Sequence, residues 1–148
     1  LVQVAATTGK RLLVPAATPA VVRADWGRGL YGSVSWRPKE LRRVEIYWEW
    51  DAPDGGGSLW WTVGVPAVEM QRQDCDELGS RAGADVVEEV TVRPGVPGCY
   101  VELKGEGTHA RWLYWVEGGV LYTLKCEPRV LTLDELLSVA RAETVAFG

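Results

Sequence analysis

The sequence is poor in the residues that usually carry chemistry. It has one histidine, His109, among 148 residues, with one Phe and one Met. Nucleophilic Ser or Cys catalysis needs a base, most often His. A zinc site needs several Cys or His ligands at short spacing. One His leaves a single candidate base for the first and too few ligands for the second. Cys75, Cys99 and Cys126 stand far apart and form no CxxC pair. No GxSxG elbow occurs. Gly55-Gly56-Gly57 has no following Lys-Ser/Thr and no helix after it, so it is not a phosphate loop.

Other absences narrow the setting. No stretch is long and apolar enough to read as a transmembrane helix, and none reads as a signal peptide. The chain begins at Leu1 and reads as a mature or excised chain, with any membrane tether outside it. Positive charge is scattered, and its densest group is Arg37, Lys39, Arg42 and Arg43. The net charge of −4 disfavours nonspecific binding to nucleic acid or to anionic membranes, which needs a basic face. No cofactor is expected.

What the chain does have is tryptophan: eight residues. Trp combines a large apolar surface with an N–H donor, so it suits half-buried sheet faces and ligand contacts. The apolar fraction of 47% and charged fraction of 24% are those of a globular protein. At this length one domain, 1–148, is expected, with 1–23 as a peripheral or linker-like segment. In an oxidising compartment the three Cys allow one disulfide and one free thiol. In a reducing one they are three buried thiols, and the pairing is open.

Strands are read from alternation. Residues 30–36 alternate, and Pro38 ends the run. From Arg42 to Trp50, Val44, Ile46, Trp48 and Trp50 share one face. Residues 51–57 have turn chemistry, and 58–65 return as the partner strand. Residues 67–79 read equally as a short helix or a polar loop. Strands are expected at 86–92 and 98–104. A second hairpin runs over 111–117 and 120–125 about Gly118-Gly119. Thr132 with Glu135 is a capping box. Leu133, Leu136, Leu137 and Ala140 then form one helical stripe. The fold class is α+β: a curved antiparallel sheet, a meander of hairpins, packed on a C-terminal amphipathic helix.

Adjacent Trp60 and Trp61 must face opposite sides, and so must Trp112 and Trp115. Both sheet faces therefore carry large aromatics, and one helix covers only one of them. A curled, aromatic-lined sheet suits an apolar or sugar-like ligand. The candidate ligand-binding residues are Trp48, Trp50, Trp60 and Trp115. The opposing reading is that these residues fill the core.

Catalytic alternatives are weak. A Cys99–His109 pair across neighbouring strands is conceivable. So is a carboxylate pair among Asp74, Asp76 and Glu77, or among Glu88 and Glu89. Asp134 and Glu135 are explained by the helix N-terminus. Asp51 and Asp54 lack the EF-hand pattern for Ca²⁺.

One resemblance is carried by the end of the chain. It rests on Trp112-Leu-Tyr-Trp115-Val-Glu-Gly-Gly119-Val-Leu-Tyr122-Thr-Leu followed by Leu131-Thr-Leu-Asp-Glu-Leu-Leu137-Ser-Val-Ala140. Upstream, Val90-Thr-Val-Arg-Pro-Gly-Val-Pro-Gly98 stands in the matching order. This region, 86–144, resembles a bacterial domain of unknown function found at the outer ends of anti-sigma-factor-like membrane proteins. The Cys residues and the density of Trp depart from that pattern. The resemblance implies a LolA-like sheet wrapped on a helix, an extracytoplasmic place in the cell envelope, and a non-catalytic sensing or binding role. It implies a protein partner or a small apolar or sugar ligand, and transfers no site residues.

Overall fold

Among the residues described in the computed structural model, the chain forms ten strands and two helices. It describes residues 9–17, 19, 27–33, 36–37, 41–50, 57–65, 75–104, 109–127 and 131–147. The strands are β1 (Leu12–Pro15), β2 (Gly27–Ser33), β3 (Trp36–Arg37), β4 (Leu41–Trp50) and β5 (Gly57–Val65), then β6 (Val86–Arg93), β7 (Val96–Leu103), β8 (Ala110–Glu117), β9 (Val120–Glu127) and β10 (Thr144–Phe147). Helix α1 is Cys75–Ala82 and helix α2 is Leu133–Arg141.

Eight strands form one open antiparallel sheet in the order β2-β4-β5-β9-β8-β7-β6, with β3 also on β4. Strands β6 to β9 are a meander. Strand β5 pairs with β9 rather than with the next strand in sequence. The chain therefore passes from β5 through α1 to the far edge of the sheet before the meander begins. Burial explains the order. Strand β9 buries every second residue (Val120, Tyr122, Leu124 and Cys126) and takes a central place. Strand β6 exposes Glu88 and Glu89 and lies at the edge, where charge discourages further pairing.

Two turns show local chemistry at work. Glu117 and Val120 are register partners, so only Gly118 and Gly119 link β8 to β9. Both have positive φ, 60° and 73°, as a two-residue hairpin turn with the sheet's own twist requires. Between β6 and β7, Pro94 sets φ and Gly95 takes φ 75°.

Register assigns the two faces. Ile46, Trp61, Leu124, Leu113 and Tyr100 succeed one another across five strands on the inner face. The neighbouring row on that face is Val63, Tyr122, Trp115 and Gly98. These residues share one apolar cluster with Leu136, Leu137, Val139 and Ala140 of α2 and with Leu12 and Val14 of β1. Helix α2 begins at Thr132, whose Oγ accepts from Glu135 N–H at 3.2 Å while Glu135 Oε2 accepts from Thr132 N–H at 2.7 Å. At its other end Arg141 donates to the carbonyls of Val92 and Thr91 at 2.7 and 2.6 Å. Arg93 answers from β6, donating to Ala140 O and to Glu117.

Strand β1 pairs only with β10, in a two-stranded ribbon apart from the large sheet. Leu12 is fully buried, so this part of the N-terminal stretch belongs to the core. On the outer face, α1 rests on β6 and β7 and is bonded to β7 through Cys75–Cys99. A smaller cluster forms there from Val101 and Leu103, with Leu78, Ala82 and Val87 around them. Helix and strand approach closely at Gly79, where a Cβ would lie 2.1 Å from Val87 Cγ2. Of residues 67–79, the part from Cys75 is helical; 67–74 fall outside the described residues.

Candidate functional site

The four Trp expected to form a ligand face do not lie on one face. Trp48 pairs with Leu59 and Trp115 with Tyr122, which puts both on the inner face. They are 4% and 2% exposed, so as surface ligand contacts they are corrected to core residues. The reason is register: each stands beside strand partners that alternate inward, into the apolar cluster shared with β1 and α2. Trp115 stacks on Tyr122 with centroids 5.3 Å apart, and Trp61 meets Trp115 edge-on at 5.4 Å. The indole N–H groups of Trp48 and Trp115 find no hydrogen-bond partner among the described residues. Trp50 pairs with Gly57 at the end of β4, and its side chain lies outside what is described.

Trp60 is different. It sits on the outer face and is half-buried. Its register row runs Tyr47, Trp60, Lys125, Trp112, Val101 and Val87 across β4, β5, β9, β8, β7 and β6. The Lys125 ammonium lies 4.8 Å from the Trp60 ring centroid and 5.6 Å from that of Trp112. Both distances are within cation–π range. Lys125 also pairs with Glu127 Oε2 at 2.7 Å. Tyr114 meets Trp112 edge-on at 5.7 Å. Thr62 and Thr123, opposite each other on the same face, and Ser58, opposite Glu127, border the row with hydroxyl groups. The result is a half-buried aromatic strip with a cation at its centre and hydrogen-bonding groups on both sides; Trp112 also packs against the cluster beneath α1, with its indole N–H buried.

Reading the sequence for Trp alone found Trp60 and missed its partners. Lys125 carries no motif, and Trp112 enters through strand parity and the C-terminal resemblance. The usable signal was register. Once β5, β9 and β8 are aligned, positions 60, 125 and 112 fall side by side.

Burial has one clear electrostatic consequence at the strip's edge. Desolvation raises the Tyr114 phenol far above its ordinary range, so its neutral form is favoured where it packs against Trp112. On the inner face, burial also raises Tyr122, opposed by the Leu13 N–H that donates to its oxygen.

The alternative catalytic groups are placed as follows. Cys99 is bonded to Cys75, so its sulfur is no thiol and a Cys99–His109 dyad does not form. His109 is exposed. Glu77 pairs with Arg81 at 2.6 Å on the surface of α1. Glu88 and Glu89 are exposed neighbours on an edge strand, and Asp134 and Glu135 stand in the first turn of α2. Among the described residues the buried carboxylate is Glu102, which sequence reading does not single out. It accepts from Tyr100 Oη at 2.7 Å and Arg111 Nε at 3.3 Å. Arg111 in turn donates to Leu131 O at the start of α2, so the network joins helix to sheet. Asp51, Asp54 and Asp74 lie outside the described residues. Among the described residues, no cluster of three His, Cys, Asp or Glu side chains could hold a metal, and no helix is long and apolar enough to cross a membrane.

Comparison with known proteins adds no relative: no family model, no curated protein and no solved structure matches the chain.

Proposed function

We propose that this chain is a non-catalytic binding domain that works outside the cytoplasm, in a bacterial envelope protein, and holds its ligand on the outer face of the sheet. The observation that carries the reading is the half-buried strip of Trp60, Lys125 and Trp112 on the outer face. Ligand sites combine apolar or aromatic surface with a few placed polar groups, and this strip has both. The Cys75–Cys99 bond supports an oxidising compartment. A sensing role beside an anti-sigma-factor-like partner, and a LolA-like curvature of the sheet, rest on the motifs of residues 86–144 alone.

The chemistry of the strip favours a sugar over a lipid. A lipid chain needs an apolar interior, and Leu12 and Val14 occupy the inner face. A sugar ring offers apolar C–H faces to indole and hydroxyl groups to carboxylates, hydroxyls and an ammonium. Ser58, Thr62, Thr123, Lys125 and Glu127 supply those partners.

The test is calorimetric titration with a panel of soluble oligosaccharides, including β-linked glucose and N-acetylglucosamine chains. The intact protein is expected to bind a subset, with W60A and W112A each weakening affinity at least about tenfold, the scale of one lost aromatic contact. The same affinity in W60A as in the unaltered protein, or no binding to any glycan, would reject the saccharide reading.

A further inference from the structure

The register row of the outer strip does not end at Trp112. It continues through Val101 of β7 to Val87 of β6, and α1 covers that second half. Leu78 and Ala82 of α1 pack there with Val101 and Leu103, and Gly79 lies directly against Val87. Val101 is fully buried, whereas Trp112, one strand away in the same row, is half-buried. Trp112 belongs to both halves: Lys125 lies over its ring, and the ring packs into the cluster beneath α1. Its indole N–H is buried there with no hydrogen-bond partner among the described residues. A buried donor left unpaired carries a free-energy cost that access to water or to a ligand hydroxyl removes.

Helix α1 is held over this row from its two ends. It has eight residues, among them Asp76, Glu77, Ser80 and Arg81, and a helix so short is not stable by itself. At its start Cys75 is bonded to Cys99. Beyond its end, Asp85 N–H donates to Glu102 O at 2.9 Å and Asp85 Oδ2 accepts from Lys104 N–H at 2.6 Å, which fixes the chain to β7. Between these attachments lies Gly83, at φ 64° and with open space where a Cβ would stand. The helix therefore has a fixed base, a joint at Gly83 and a covalent latch at Cys75.

We propose that α1 is a thiol-controlled lid on the ligand strip. With Cys75–Cys99 intact it closes the strip at Trp112. When a dithiol reductant opens that bond, α1 turns away about Gly83 and the strip extends over Val101 to Val87, two strand steps or about 10 Å further. The thiolate of the reductant attacks one sulfur and displaces the other as a thiolate, and its second thiol then resolves the mixed disulfide. Two electrons pass to the protein, Cys75 and Cys99 end as thiols, and the reductant ends as a disulfide. Both sulfurs belong to buried residues, but Cys75 is the first residue of α1, and helix ends fray before their centres do. Control of binding in this way presupposes that the strip is the ligand face proposed above.

The test compares three forms of the protein: oxidised, reduced with dithiothreitol, and C75A/C99A. Acrylamide quenching of tryptophan fluorescence, with W112F made in the same backgrounds, isolates Trp112. The Trp112 share of the quenching is expected to rise in the reduced and C75A/C99A forms while far-UV circular dichroism keeps the signal of the sheet. Unchanged quenching overturns the proposal. Loss of the sheet on reduction overturns it too, because the bond then holds the fold together and not a lid closed. A saccharide bound by the oxidised protein should bind about three- to tenfold tighter once α1 is free, the scale of the hydrogen bond that Trp112 gains. Equal affinity in all three forms overturns the control of binding. Increased quenching with no saccharide bound by any form rejects the strip as a sugar site and leaves the lid standing.

Discussion

Trp60 and Trp61 are neighbours in one strand, and their fates differ completely. Trp61 is fully buried and spends its N–H on Leu13 O; Trp60 lies over a lysine at the surface. The sequence made that split legible, because strand parity is a covalent property of the backbone. It did not reveal which side was inward, so two of the four Trp chosen as ligand contacts are core residues. At this scale Trp61→Phe leaves the Leu13 carbonyl without its donor and should cost about 1–3 kcal/mol, measured by urea unfolding. Gly79→Ala should also destabilise, by about 1–3 kcal/mol, since its Cβ would meet Val87 Cγ2 at 2.1 Å. An unchanged unfolding midpoint for G79A would show that α1 shifts freely on β6.

The elements themselves were mostly legible. The hairpins at β4–β5 and β8–β9 follow from alternation and from Gly118-Gly119, and the start of α2 follows from Thr132 and Glu135. Thr132→Ala should lower stability by about 1 kcal/mol through loss of the cap, read from thermal unfolding. Strand β10 was not foreseen. Thr144-Val-Ala-Phe147 is too short to show a period and is a strand because β1 is beside it. Helix α1 was ambiguous because its sequence is polar. The disulfide, closing a separation of 24 residues, fastens it to β7. Removing it in C75A/C99A should cost about 3 kcal/mol. Hydrogen exchange should show protection lost in α1 and kept in β8 and β9. Equal loss across all three would mean that α1 and the sheet unfold as one unit.

For the whole molecule, the buried phenols set a limit on alkaline stability. Tyr114 and Tyr122 have folded pKa values raised above the ordinary 10.0, chiefly by burial. Their neutral forms are favoured by folding, so this contribution is complete below pH 10.0 and is lost as pH rises above it toward the folded values. Unfolding free energy should therefore fall between about pH 10 and about pH 12, with a shallower fall in a Y114F variant. A Y114F curve parallel to that of the unaltered protein would remove Tyr114 from the account.

By itself the sequence determined most strands of the large sheet, the turn between β8 and β9, and where α2 begins. Each of these follows from neighbours a few residues apart: alternating side chains, glycines at positive φ, a hydroxyl three residues before a carboxylate. Only the tertiary structure decided that β5 stands beside β9, that Cys75 joins Cys99 and leaves Cys126 buried outside the disulfide, and that Trp60, Lys125 and Trp112 lie side by side. Those pairings join residues from 13 to 69 positions apart. They are selected by which packing buries the most apolar surface with its polar groups paired, a property of the assembled chain that no local stretch contains.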